Sequence, residues 1–222
     1  MAATGGRQAG HIVLLGDSIF DNKAYVAGGP DVVTQLRGDL PPGWRASLAA
    51  MDGAVAAGVN QQLPRLPAGA THLVISAGGN DALWHERVLG ERVGSVGEAL
   101  VRLAAVQTEF QRSYREMLDA VVGRGLPTTV CTIYDPRFPD LVRRKIGTTG
   151  LALFNDVITR EAFARGLPVI DLRLVCNEDG DFANPIEPSV QGGGKIAAEI
   201  ARLVLEHEFG RSRSAVFVGR SR

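Results

Sequence analysis

The chain has 222 residues, 45% of them hydrophobic and 22% charged, with a formal net charge of zero. The composition is typical of globular proteins, and the length suits one α/β domain, or at most two small ones. The balanced charge indicates neither nucleic acid nor an anionic membrane surface as a partner. Cys131 and Cys176 belong to no Cys-x-x-Cys pair, so we expect two buried free thiols rather than a zinc site.

The chain is predicted to be one folded domain with a tail at each end. The N-terminal region has no apolar stretch as long as a signal-peptide core or a membrane helix, which favours a cytoplasmic protein. We expect residues 1–10 to form a loose tail, residues 11–208 the domain, and the basic residues 209–222 a flexible C-terminal tail.

Short apolar runs alternate with amphipathic stretches along the domain. Apolar residues at spacings of three and four, followed by glycine or proline, predict helices over residues 97–122, 151–165 and 195–207. Continuous apolar runs predict five strands over residues 12–15, 45–51, 73–77, 128–134 and 169–172. This alternation is typical of a parallel sheet covered by helices on both faces.

The loops after the strands contain the residues of chemical interest, because ligands of an open parallel sheet bind outside the carboxyl ends of its strands. Ser18 follows the first strand through Gly16 and Asp17, at the expected start of a helical turn. Asn80 follows the third strand and offers a side-chain N–H donor. Together they supply a nucleophile and an oxyanion donor, two of the groups that acyl transfer needs.

These segments resemble the conserved blocks of the SGNH, or GDSL-like, hydrolases. The stretch Gly16-Asp17-Ser18-Ile19 resembles the first block, and Gly78-Gly79-Asn80-Asp81 resembles the third. Residues 52–58 resemble the glycine-bearing second block more loosely, and the similarity extends in order over residues 11–205. The resemblance implies a three-layer, flavodoxin-like α/β fold whose five-stranded parallel sheet has the order 2-1-3-4-5.

The resemblance also implies roles for individual residues. Ser18 would be the nucleophile, and its backbone N–H and the Asn80 side chain would hold the oxyanion. The second block would add a further backbone donor from one of three residues: Gly53, Ala57 or Gly58. Asp17 is expected to hold its loop through backbone hydrogen bonds. No metal or organic cofactor is required.

The last block departs from the family pattern of Asp-x-x-His. Here the matching residues are Asn184-Pro185-Ile186-Glu187, so that Glu187 stands in the place of the histidine and Asn184 in the place of the aspartate. Of the four histidines, His11 and His72 begin strands and should lie at the opposite edge of the sheet. His207 lies in the last helix, past the loop. His85 alone is expected at the edge that contains Ser18.

Three interpretations of the last block stay open at this point. Glu187 can act as the base if burial raises its pKa from about 4.3 towards the value of about 6.5 that is usual for histidine. Asn184 would then orient the carboxylate through its amide N–H groups. Alternatively, His85 is the base, or the site has lost its catalytic function.

We therefore predict a serine hydrolase that cleaves a small carboxylic or acetyl ester, with a small-molecule ester as its partner and an oligomeric state that the sequence leaves open. The alternative is a catalytically impaired ligand-binding protein with the same fold. A phosphate- or nucleotide-binding flavodoxin-like module is a third hypothesis. The first loop argues against it because it contains no Gly-x-Gly-x-x-Gly pattern.

Overall fold

A computed structural model describes residues 9–210 and 213–219. The main sheet consists of six strands: β1 His11–Gly16, β2 Arg45–Leu48, β3 His72–Ser76, β4 Thr128–Cys131, β5 Val169–Ile170 and β8 Val216–Phe217. The strands lie in the order β2-β1-β3-β4-β5-β8, and every pair is parallel. A separate antiparallel hairpin is formed by β6 Phe182–Asn184 and β7 Glu187–Pro188.

Six α-helices connect and cover the strands: α1 Val32–Asp39, α2 Gly79–Trp84, α3 Val96–Val122, α4 Leu141–Ala164, α5 Leu172–Val175 and α6 Val190–Glu206. Short 3-10 helices occur at Lys23–Tyr25, Ala56–Gln61, Leu63–Arg65, Glu86–Gly90 and Asp179–Asp181. None of the helices in residues 9–210 and 213–219 is both long and apolar enough to cross a membrane.

The three-layer arrangement follows from the alternation of side chains along β1. Ile12 and Leu14 pack with the residues of α1 and α6 on one face of the sheet. Val13 and Leu15 pack with the residues of α3 and α4 on the other face. All four side chains are completely buried, as expected for a central strand covered on both sides. The predicted α/β fold class is confirmed.

The predicted count of five strands was wrong by one, although the order 2-1-3-4-5 is present. The additional strand, β8, lies within the segment expected as a flexible tail. The Val169 N–H donates to the Ala215 carbonyl and the Asp171 N–H to the Phe217 carbonyl, each at 2.8 Å. A two-residue strand in a basic segment has no recognisable pattern, and it forms here because β5 otherwise presents an unpaired edge. Residues 1–8, 211–212 and 220–222 of the expected tails lie outside the described residues.

Two helices begin earlier than their patterns predict, because glycines near their amino-terminal ends interrupt the pattern of apolar residues. Helix α4 begins after Asp140, whose carboxylate caps it by accepting from the Arg143 N–H at 2.6 Å. Helix α6 begins after Ser189, whose hydroxyl accepts from the Gly192 N–H at 3.2 Å. A Cβ atom on Gly192 would lie 2.1 Å from the Asp181 carbonyl oxygen, so this glycine permits α6 to pack against the segment before the hairpin.

Gly16 ends β1 in a conformation that turns the chain towards Ser18. Its φ of +121° lies in the region that favours glycine, and an added Cβ would lie 1.7 Å from the Ser76 carbonyl oxygen. The same turn brings the Asp17 N–H to the Ser76 carbonyl at 3.1 Å. Close approach of β1 and β3 at this point therefore requires glycine.

Replacement of Gly16 by alanine should destabilise the domain by roughly 2–4 kcal/mol, because it combines backbone strain with a steric clash. Urea denaturation measures the change. Gly38 in α1 is a matched control, since an added Cβ there meets nothing within 4 Å. Gly38→Ala should leave stability unchanged or raise it by up to about 1 kcal/mol. Equal stabilities for the two variants would contradict this account of Gly16.

Candidate active site

Ser18 and Glu187 are in direct contact although they are 169 residues apart in the chain. Ser18 lies two residues after β1, and Glu187 is the first residue of β7. The Ser18 hydroxyl donates a hydrogen bond to Glu187 Oε1 at 3.0 Å. Each residue is only 6% exposed. The structure thus brings the predicted nucleophile and the residue in the histidine position into the geometry of a nucleophile and its base.

The Ser18 loop is held by amide and carboxyl groups. The Gln62 side chain pairs with the backbone of Gly16, accepting from its N–H at 2.8 Å and donating to its carbonyl at 2.7 Å. The Asp17 carboxyl accepts from the Ile19 N–H at 3.2 Å. Asp17 therefore holds its own loop, while the contribution of Gln62 had no signal in the sequence because it lies among other polar residues.

Three side chains hold the hairpin that carries Glu187. Asn184 Oδ1 accepts from the N–H groups of Ile186 and Glu187, each at 3.0 Å. The Tyr134 hydroxyl donates to the Ile186 carbonyl at 2.7 Å. Asn22 Nδ2 donates to the Pro188 carbonyl at 3.3 Å, while Asn22 Oδ1 accepts from the N–H of the residue that begins α1. Sequence reasoning missed Asn22, which is completely buried in an irregular segment.

The expected contact between the Asn184 amide and the Glu187 carboxylate is not among the hydrogen bonds of the described residues. Asn184 instead uses its side-chain oxygen on two backbone N–H groups, as asparagine commonly does in turns. It orients Glu187 through the backbone of the turn and not through the carboxylate.

Burial dominates the electrostatics of the Glu187 carboxyl. Its removal from water raises the pKa to about 7 from an ordinary value of 4.5, the hydrogen bond from Ser18 lowers the pKa, and the charge of Asp52 raises it. Glu187 Oε2 is buried and has no hydrogen-bond partner in the described residues. A buried acceptor without a donor is uncommon in folded proteins, and here it adds to the cost of ionising the Glu187 carboxyl.

Asp17 is a second buried carboxyl beside Ser18. Its burial raises its pKa to about 8, the hydrogen bond from the Ile19 N–H lowers the pKa, and the nearby Glu187 carboxylate raises it. Two carboxyls in one poorly hydrated region disfavour each other's ionisation. Ser18 therefore lies in a region where negative charge is costly.

Several N–H groups around Ser18 are suitable oxyanion donors. The backbone N–H of Ser18 makes no hydrogen bond within the described residues. The Asn80 side chain lies at the same cavity and donates to the Ala54 carbonyl at 3.0 Å, which leaves its second N–H hydrogen for another acceptor. Asp81 joins this region to the second block by accepting from the Ala56 N–H at 2.9 Å.

The three candidate donors of the second block differ in their surroundings. Gly53 lies in an exposed turn with a φ of +77°, and its N–H is unpaired within the described residues. The Gly58 N–H already donates to the Val55 carbonyl at 2.9 Å. Ala57 is exposed in the first turn of the 3-10 helix Ala56–Gln61. None of the three lines the cavity beside Ser18, so the structure does not bring them together with Ser18 as closely as it brings Asn80.

The histidines are distributed as the strand directions predict. His11 contacts Ser47 through Nε2 at 2.7 Å at the amino edge of the sheet, and His72 begins β3 at that edge and stacks against Trp44. His207 follows α6 and packs against Phe209. His85 ends α2 and lines the cavity beside Ser18, but no hydrogen bond joins its ring to Ser18 or Glu187 in the described residues. In residues 9–210 and 213–219, no group of three or more His, Cys, Asp or Glu side chains is arranged to hold a metal ion.

A three-layer α/β fold with a serine beyond its first parallel strand, and an asparagine beyond its third, defines the class of SGNH-type hydrolases. The family model of the GDSL-like lipases and acylhydrolases matches residues 14–192. The chain therefore belongs to the GDSL-like lipase/acylhydrolase family, and this membership supports an ester hydrolase in general terms. No curated protein matches the chain significantly in sequence.

Solved structures share the fold at low sequence identity. An acetyl xylan esterase matches with a TM-score of 0.66 and 17% identity, over 87% of this chain and 99% of that one. An extracellular lipase from Streptomyces rimosus matches with a TM-score of 0.62 and 19% identity, over 86% and 97% of the two chains. A carbohydrate acetylesterase from Sinorhizobium meliloti matches with a TM-score of 0.62 and 12% identity, over 88% and 98%. At these identities the likeness shows the fold alone.

From the raised pKa of Glu187 we predict how the free energy of unfolding depends on pH. The native protein binds more protons than the unfolded chain between the ordinary pKa of 4.5 and the native pKa of about 7. The free energy of unfolding contributed by Glu187 therefore falls as pH rises through this window, by up to about 3 kcal/mol. Glu187→Gln should gain stability relative to wild type by that amount between about pH 4.5 and 8.

Urea denaturation of both proteins across this pH range tests the prediction. Asp17 titrates in both proteins, so that the difference between them isolates Glu187 to first order. A difference in stability that stays constant with pH would contradict the raised pKa.

Proposed function

We propose that the protein is a serine hydrolase of carboxylic esters in which Ser18 is the nucleophile and Glu187 the general base. The observation that carries the proposal is the buried hydrogen bond from the Ser18 hydroxyl to Glu187 Oε1, at 3.0 Å. Membership of the GDSL-like lipase/acylhydrolase family supports the reaction class. Neither a metal nor an organic cofactor takes part in this mechanism.

In the first half of the reaction, the Ser18 oxygen attacks the ester carbonyl while its proton passes to Glu187 Oε1. The oxyanion of the tetrahedral intermediate accepts from the Ser18 N–H and from the second N–H of the Asn80 amide. The protonated Glu187 then gives its proton to the leaving alkoxide oxygen. The alcohol departs, and the acyl group stays esterified to Ser18.

In the second half, water attacks the acyl-enzyme and releases the acid. Glu187 removes a proton from the water and returns a proton to the Ser18 oxygen when the ester bond breaks. Glu187 Oε1, which accepts from the Ser18 hydroxyl before the reaction, is freed when Ser18 becomes acylated and is the acceptor for this water. The sum of the two halves is ester plus water giving acid plus alcohol, and Glu187 ends in its starting state.

The environment of Glu187 supports its role as a base. A free glutamate is a weaker proton acceptor than a histidine by roughly two pKa units, which amounts to about 3 kcal/mol. Burial raises the pKa of Glu187 to about 7 and so removes this deficit. A base with a pKa near neutrality combines an adequate deprotonated fraction with adequate proton affinity.

Labelling with a fluorophosphonate tests for an activated serine. Wild type should be labelled at Ser18, Ser18→Ala should not be labelled, and Glu187→Gln should react more slowly by about two orders of magnitude or more, as loss of a general base commonly causes. His85→Ala is the control and should retain the wild-type rate. If labelling is retained in Glu187→Gln and lost in His85→Ala, the base is His85 and not Glu187. No labelling and no hydrolysis of a small ester would favour the ligand-binding alternative.

The pH dependence of kcat/KM should report the Glu187 carboxyl. Because the base acts in its deprotonated form, kcat/KM should rise with pH through about 7 and then level off. The apparent pKa should change little with temperature, since ionisation of a carboxyl releases or absorbs little heat whereas that of imidazole absorbs much. A pKa that falls steeply on warming would identify a histidine and contradict Glu187 as the base.

We propose a small-molecule ester as the partner of this site and the cytoplasm as its location. Cys131 and Cys176 support the location, because both are buried as free thiols within one core, a state that a reducing compartment preserves.

A further inference from the structure

A cavity of about 160 Å³ opens directly beside Ser18, Asn80 and Glu187. Away from these groups its wall is mainly aliphatic and aromatic. The cavity lies between α2 and the following 3-10 helix Glu86–Gly90 on one side, and α3 and α4 on the other. Six of the side chains that form this wall are Leu89, Leu103, Val106, Ile146, Leu151 and Phe154. The methyl group of an acetyl ester would occupy only a small part of such a space.

We propose that this cavity binds the acyl group of the substrate, and that the group is an uncharged aliphatic chain of medium length. The inference rests on the proposed function, because it takes Ser18 as the atom that attacks the acyl carbonyl. With the carbonyl at Ser18, a chain bound in the cavity would exchange water for apolar side chains along its length. Burial of each methylene favours the bound state.

The charged groups of the cavity argue against an anionic acyl group. The carboxyl groups on the described lining come from Asp17, Glu86 and Glu187. His85 and Arg143 are the basic side chains of this lining, and the Arg143 guanidinium is paired with the Glu86 carboxylate at 3.0 Å. A carboxylate at the end of an acyl chain would lose hydration beside these three carboxyl groups, and it would have to displace Glu86 to pair with Arg143. An uncharged chain has no such cost.

Gly150 provides a way to fill the cavity without disturbing the fold. It lies inside α4 and lines the cavity, and an added Cβ would meet nothing within 4 Å. Leucine is a better helix former than glycine, so that Gly150→Leu should fold. Its side chain would take space that the chain needs. Gly38→Leu is the matched control, because Gly38 is an exposed glycine of α1 with equally open surroundings and no place in the cavity.

The test compares kcat/KM for acetyl, butanoyl, hexanoyl and octanoyl p-nitrophenyl esters, each below its critical micelle concentration. Wild type should gain up to about fourfold per added methylene until the cavity is full, which corresponds to about 0.8 kcal/mol for each buried methylene. Gly150→Leu should lose most of this gain, so that its ratio of octanoyl to acetyl kcat/KM falls towards one, while Gly38→Leu should behave as wild type. A half-ester of succinic acid should react more slowly than the butanoyl ester.

The outcomes separate the acyl-chain inference from the proposed function. A profile that is flat or falls with chain length, in a protein whose Ser18 is labelled, overturns the inference and leaves the proposed function intact. An octanoyl preference that Gly150→Leu leaves unchanged also overturns it.

If no ester is hydrolysed, the proposed function fails. Calorimetry of Ser18→Ala with 1-octanol and 1-butanol then tests whether the cavity binds an apolar chain. Tighter binding of 1-octanol that is lost in the Ser18→Ala/Gly150→Leu double variant supports the apolar chain site. Absence of such a preference overturns it.

Discussion

The hydrogen bond between Ser18 and Glu187 connects two parts of the chain that lie 169 residues apart in the sequence. The position of Ser18 is set by the central strand β1 and by the turn that Gly16 makes against Ser76. The position of Glu187 is set by the hairpin β6–β7. Asn22, which follows Ser18 by four residues, holds this hairpin by donating a hydrogen bond to the Pro188 carbonyl. Because one hydrogen bond tolerates only a few tenths of an ångström, the packing of sheet, hairpin and α6 must all be accurate for the pair to form.

The basicity of Glu187 and the stability of the domain oppose each other. The burial that raises the pKa of Glu187 also makes its charged form costly in the native state. Asp17 adds to this cost, since burial raises its pKa to about 8 beside the same serine. The extensive core on both faces of the sheet stabilises the domain and so offsets the cost of these two buried carboxyls. Active sites commonly retain such unfavourable groups where the reaction needs them.

The sequence predicts the parts of this structure that have a local pattern. Apolar runs identify the first five strands of the main sheet, and parallel topology brings the loops with Ser18 and Asn80 to one edge, since all carboxyl ends of the strands meet there. The hairpin of Glu187 has no such pattern, because its strands contain three and two residues. The contact between Gln62 and Gly16 is equally hidden, because one polar side chain among several is selected by packing at long range. The early start of α4 is missed for another reason: its glycines lower local helix propensity, while tertiary contacts and the Asp140 cap outweigh that preference.

In the proposed mechanism, the two departures in the last block are physically one change. An imidazole base has two different nitrogens, and a carboxylate partner on one of them holds the ring in the required tautomer. A carboxylate base has two equivalent oxygens and no tautomer, so that it needs no such partner, and a second carboxylate beside it would repel it. Asn184 keeps the acceptor oxygen that the turn needs for the N–H groups of Ile186 and Glu187 without adding negative charge. In the proposed mechanism, Oε1 serves the Ser18 hydroxyl in the first half of the reaction and the attacking water in the second, and no partner on the other oxygen is needed to hold a tautomer.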